Sequence, residues 1–132
     1  MATARKTHSV LIVEDDVHLR QALRDKLIRQ GFLVLEAKNG LEGQEVAVRE
    51  HPDLILLDIV MPIMDGITML TKLREDAWGK EAAVVMLTNL NDNEKLAAAM
   101  AQGSYDYLVK SDHKIEDIVR VVQKKLGLNK VE

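Results

Sequence analysis

Five polar residues of this chain stand just past apolar runs, and their types suit phosphoryl transfer: Glu14 and Asp15, then Asp58, Thr88 and Lys110. Carboxylates supply the hard oxygen ligands that magnesium prefers, a hydroxyl can donate to a phosphoryl oxygen, and an ammonium offsets its charge. One carboxylate can also serve as the nucleophile and form an acyl phosphate. Its own charge repels the incoming group, so the chemistry needs a cation nearby. Each residue alone has a plainer reading. An acid after a strand commonly caps the next helix, as Asp16 is expected to do; a threonine there serves turn chemistry, and a lysine is usually solvated. The joint placement of two acids, one acid, a hydroxyl and an amine behind four separate runs favours a shared site.

Those runs must be positioned by a fold. The strand candidates are Ser9 to Val13, Phe32 to Ala37, Asp53 to Leu57, Ala83 to Leu87 and Tyr105 to Val109. Most are continuously apolar, as strands covered on both faces should be. Helical spacing alternates with them. Leu19, Leu23 and Leu27 make one stripe, and Ile115, Ile118, Val119, Val122 and Leu126 make another. Leu96, Ala99 and Met100 mark a helix ending near Gly103, and further helices are expected over 40–50 and 66–75. Gly31 ends the first helix, and Pro52, by restricting His51, ends the second. Five strands alternating with five helices predict a three-layer α/β domain with a parallel sheet. In such a sheet the C-terminal ends of the strands share one edge, where ligand sites form.

The 132 residues fit one domain, expected over 1–132 with a core of about 8–127. A net charge of -3 and the lack of a clustered basic stripe argue against a direct nucleic-acid partner. No apolar run approaches a membrane span, and Met1 to His8 lacks the apolar segment of a signal peptide. We therefore expect a cytoplasmic protein without a membrane partner. Without cysteine there is no disulfide framework and no thiolate metal site.

Four stretches carry a family resemblance: VLIVEDD at 10–16, DLILLDIVMPIMDG at 53–66, VVMLT at 84–88 and YLVK at 107–110. They resemble the signature blocks of response-regulator receiver domains, of the kind found in single-domain chemotaxis regulators. The resemblance spans nearly the whole chain. It implies a flavodoxin-like (βα)5 sandwich with strand order 2-1-3-4-5. It also implies that Asp58 is the phosphoacceptor, receiving its group from a histidine kinase or a histidine phosphotransfer protein. By the family pattern, Asp15, Asp58 and the main-chain carbonyl of Val60 bind Mg2+ directly, Glu14 assists through water, and Mn2+ can substitute. Thr88 and Lys110 hold the phosphoryl oxygens. Tyr107 matches the aromatic switch position whose rotamer follows the threonine. The output surface is then shared by the fourth helix, the fifth strand and the fifth helix, on a monomer or weak dimer. Such a protein is a signalling phosphoacceptor that assists its own phosphorylation and dephosphorylation, not an enzyme.

Three positions depart from the usual pattern. Ser111 follows Lys110 where the family usually has proline, which puts a cis peptide there in doubt. Asn89 follows Thr88 where a smaller residue is commoner, and Val60 and Leu90 are apolar where polar side chains can align water. Other readings are a phosphorylation-independent α/β interaction module, a receiver fragment of a larger regulator, a strand-end phosphatase and a flavin-binding domain. A haloacid-dehalogenase-like phosphatase needs an aspartate at Val60. Phosphate cradled after strand one, as a flavin module requires, would meet the charges of Glu14, Asp15 and Asp16.

Overall fold

Five short, mostly apolar runs become the strands of a single sheet in the computed structural model, which describes residues 7–88, 94, 97, 101, 106–110 and 114–128. The strands are β1 (Ser9–Val13), β2 (Leu33–Ala37), β3 (Leu54–Asp58), β4 (Val84–Thr88) and β5 (Asp106–Val109). All pairings are parallel, in the order β2-β1-β3-β4-β5. The helices are α1 (Val17–Arg29), α2 (Gly40–Glu50), α3 (Gly66–Glu75) and a C-terminal helix (Ile115–Lys125), with a 3-10 turn at Gly79–Glu81. Glu94, Ala97 and Ala101 are helical between β4 and β5, while the expected stripe of Leu96, Ala99 and Met100, and the helix end expected near Gly103, lie outside the described residues.

Strand alternation divides the core in two. Leu11, Val13, Ile55 and Leu57 face Ala47 of α2 and Met69, Leu70 and Leu73 of α3. Val10, Ile12, Leu54 and Leu56 face the other way, onto Leu23 and Leu27 of α1 and Ile118, Val119 and Val122 of the C-terminal helix. Burying each of the valine, leucine, isoleucine and methionine side chains among them contributes roughly 1.5–3 kcal/mol. The central strands β1 and β3 are thereby held on both faces, which fixes their C-terminal ends.

Several boundaries differ from the sequence expectation for local reasons. Phe32 does not begin β2. Gly31 takes φ 93° after α1, its N–H donates to Ile28 O, and Phe32 N–H donates to Leu27 O, so the pair closes the helix C-terminus. β3 and β4 each start and end one residue later than the runs suggest, because the ladder continues through Asp58 opposite Leu87 and Thr88 opposite Val109. Asp53 is left at the strand entrance, where its carboxylate accepts from Ser9 N–H at 2.8 Å. Tyr105 lies outside the described residues. As expected, α2 stops before Pro52, with His51 turned into the left-handed region at φ 49°.

Candidate functional site

At the end of β1, Glu14 N–H donates to Ala37 O of β2 at 3.0 Å, which holds the strand's register one residue past its end. The Glu14 side chain points inward and is fully buried. Asp15 is exposed. Asp16 is the expected helix cap, its carboxylate accepting from the N–H groups of His18 and Leu19, while its own N–H donates to Glu14 Oε2 at 3.1 Å.

On the neighbouring strand Asp58 is the last residue of β3 and is 3% exposed. Its Oδ1 accepts from Ile59 N–H at 2.8 Å. Gly66 opens α3 directly above. Its N–H donates to Ile59 O at 2.8 Å, and a Cβ there would collide with the Asp58 carbonyl oxygen. Glycine at 66 is thus required by the close approach of two backbones. Lys110 stands immediately past β5 and reaches across the sheet edge, its Nζ 2.8 Å from Glu14 Oε1 and 3.1 Å from Asp58 Oδ1. One oxygen from each of Glu14, Asp15 and Asp58 lies within 4.8 Å of the others.

The electrostatics follow from this crowding. Burial, then the nearby Asp58 charge, pushes Glu14 up to about 7, against the opposing pull of Lys110. Burial also raises Asp58, while hydrogen bonds from Glu14 and from Lys110 limit the rise. For Lys110 burial acts downward, but its two carboxylate partners outweigh it and hold the ammonium above its ordinary value. Glu14 is therefore much less acidic than an ordinary carboxyl, in a cluster whose like charges oppose one another. Three carboxyl groups converging in this way suit a hard divalent cation, which would relieve the repulsion and compete with protonation of Glu14.

The loop between Asp58 and Gly66 stores strain. Met64 N–H donates to Pro62 O at 2.7 Å across Ile63, which has φ 71° and is 78% exposed. This is a γ-turn with a β-branched residue at positive φ, and its side chain gains little burial in return. Ile63→Gly is expected to raise the unfolding free energy by about 1 kcal/mol, strain relief exceeding the added chain entropy. Urea unfolding checks it. A lower midpoint would show that the isoleucine side chain, not the turn, dominates at this position.

The structure brings Glu14, Asp15, Asp58 and Lys110 together as expected. Thr88 closes β4 beside them by register, opposite Val109. Val60 follows at the site's rim, 47% exposed. Tyr107 sits on β5 opposite Met86 and is 48% exposed, lining a groove of about 390 Å³ with Leu108, Val121, Lys124 and Lys125. Asn89, Leu90 and Ser111 lie outside the described residues. Arg20 went unnoticed in the sequence. Its Nη1 donates to the Glu14 carbonyl oxygen at 2.7 Å, and a lone arginine in a helix's first turns carries no signal of that bond.

A parallel five-stranded sheet carrying an acidic cluster and a lysine at its C-terminal edge defines the class of receiver domains. The chain belongs to the response regulator receiver domain family, whose profile matches residues 10–123. It is 36% identical over 115 residues to the transcriptional regulatory protein SrrA of Staphylococcus aureus, spanning 87% of this chain but 46% of that protein, about half its length. Among solved structures it is similar to the chemotaxis response regulator CheY4 of Vibrio cholerae, with 28% identity and a TM-score of 0.82 over 90% of this chain and 98% of that one. It is also similar to the receiver domain of the sensor histidine kinase PA1611 of Pseudomonas aeruginosa, with 26% identity and a TM-score of 0.78 over 92% and 99%. That structure has a magnesium ion coordinated in its active-site cleft. Among the described residues no helix is long and apolar enough to cross a membrane.

Proposed function

We propose that this domain accepts a phosphoryl group on Asp58 from a histidine kinase or a histidine phosphotransfer protein, in the cytoplasm, and signals through a protein partner. One observation carries the reading: Asp58, buried at the end of a central strand, has an ammonium 3.1 Å away and two further carboxyl groups beside it. A carboxylate oxygen of Asp58 attacks the phosphorus, the bond from phosphorus to the donor's imidazole nitrogen breaks, and the electron pair stays on that nitrogen. Lys110 offsets charge on the transferred group, with the Thr88 hydroxyl as a further donor. Asp15, Asp58 and the Val60 carbonyl would hold Mg2+, with Glu14 assisting, and the ion would neutralise the charge that opposes the attack. The added negative charge of the phosphoryl draws the Thr88 hydroxyl toward it, and that movement frees space for Tyr107, now half-exposed, to turn inward. The output surface comprises the segment between β4 and β5, β5 itself and the C-terminal helix.

Treatment with a small phosphodonor and Mg2+ tests this reading, with intact mass as the readout. A single phosphoryl increment is expected. No increment, or one that persists without the cation, would overturn it.

The residue types two positions beyond Asp58 and Thr88 bear on how long the acyl phosphate survives. Hydrolysis needs a water placed in line with the phosphorus, and the side chains of Val60 and Leu90 can neither donate to it nor accept from it. Spontaneous dephosphorylation is expected to be slower, by about tenfold on the scale of one net hydrogen bond to the water, than in Val60→Asn/Leu90→Glu. Phosphate release after donor removal, at fixed magnesium and pH, gives the rates. Equal or slower decay in the double variant would show that these two positions do not control water access.

A further inference from the structure

We infer that Arg20 is a positioning residue for the acidic cluster, acting through the Glu14 main chain and not through any carboxylate of the site. Its Nη1 donates to Glu14 O at 2.7 Å, while Glu14 N–H is held by Ala37 O at 3.0 Å. Both peptide groups flanking Glu14 are thus fixed, and with them the plane of the Glu14–Asp15 bond from which Asp15 projects. The guanidinium is itself tethered. Its Nε lies 3.2 Å from Glu36 Oε1, and Glu36 Oε2 lies 3.2 Å from Arg24 Nε. Glu36 belongs to β2, so a β2 to α1 network reaches the loop that carries the acids. Arg20 is mostly covered, its side chain 15% exposed. Glu36 also balances the positive charge that the guanidinium brings near a cation site.

The inference rests on the proposed metal site, and its sign separates it from a simple charge effect. A bare cation beside a magnesium site repels the ion, so deleting it by charge alone would tighten binding. Loss of positioning would weaken it. Arg20→Met is expected to raise the magnesium Kd about tenfold, the scale of an outer partner that orients ligands. Calorimetry in parallel with thermal unfolding in chelator reads both affinity and fold. Arg20→Lys, which keeps the charge but offers no fork, is expected to fall between wild type and Arg20→Met, and carries the test if the methionine variant does not fold. Glu36→Gln, which frees the guanidinium and exposes its charge, is also expected to weaken binding. Magnesium affinity equal to or tighter than wild type in Arg20→Met and Arg20→Lys overturns the inference. Asp15→Asn is the control: if it binds magnesium as wild type does, the metal site itself is wrong, whatever Arg20 does.

Discussion

Asp58→Asn is expected to eliminate phosphoryl incorporation altogether. The carboxamide is nearly the same size as the carboxylate and can still accept from Ile59 N–H, but it has no charged oxygen to attack phosphorus. The fold should survive, because the substitution removes a buried charge whose repulsion contributes to holding Glu14 near 7. Melting temperature in the absence of magnesium is expected to stay level or rise. The pair of readouts matters: lost modification with intact folding assigns the nucleophile, whereas lost modification with lost folding would assign nothing. A mass increment of one phosphoryl in Asp58→Asn would remove Asp58 from the role and direct attention to Glu14 or Asp15. No other carboxyl in the described residues combines a strand-end position with burial and a lysine at 3.1 Å or less, apart from Glu14, which burial and the Asp58 charge push up to about 7.

The fold was legible where burial is two-sided and illegible where the ladder or a cap decides. Val10 to Val13 and Leu54 to Leu57 are apolar without interruption because each is covered on both faces, and a sequence records that directly. The end of β3 is not recorded so, since Asp58 is polar yet remains in the sheet through its pairing with Leu87. Phe32 is apolar yet serves a helix terminus, a role set by the left-handed Gly31 before it. At the site, the residue types and their strand-end spacing predicted that Glu14, Asp15, Asp58 and Lys110 meet at one sheet edge, and there they lie together. What spacing does not carry is depth. Asp15 and Glu14 are adjacent acids, and only the inward turn of Glu14 against Lys110 separates an exposed carboxyl from a buried one paired with an ammonium. The bond from Arg20 to a main-chain oxygen left no trace in the residue pattern, because any long cation on that turn of α1 would look the same.

Magnesium affinity is expected to rise steeply with pH up to about 7 and then level off, because the cation must displace the proton that Glu14 holds. Below that point each pH unit changes the fraction of unprotonated site tenfold, so the Kd should fall by roughly thirtyfold between pH 5.5 and 8. Proton release on binding, measured in buffers of different ionisation enthalpy, should shrink over the same interval. The sign for stability runs the other way in the metal-free protein. Glu14 has a folded value above the ordinary 4.5, so its contribution is fully present below 4.5 and is lost as pH rises through about 7. The full interval corresponds to at most about 3 kcal/mol, and because Glu14 and Asp58 titrate together it belongs to the pair. In chelator the melting temperature is therefore expected to fall from pH 5.5 to pH 8, and saturating magnesium should cancel or reverse that slope. Glu14→Gln, which cannot ionise, should flatten both curves while leaving Asp15 and Asp58 as ligands. Trp78 stacks on His51 before β3 and β4 begin, at the sheet edge opposite the site, so calorimetry is a better gauge than its fluorescence. A magnesium Kd unchanged across this pH range would mean that Glu14 carries no proton in competition with the ion, and that Lys110 alone settles the charge of the cluster.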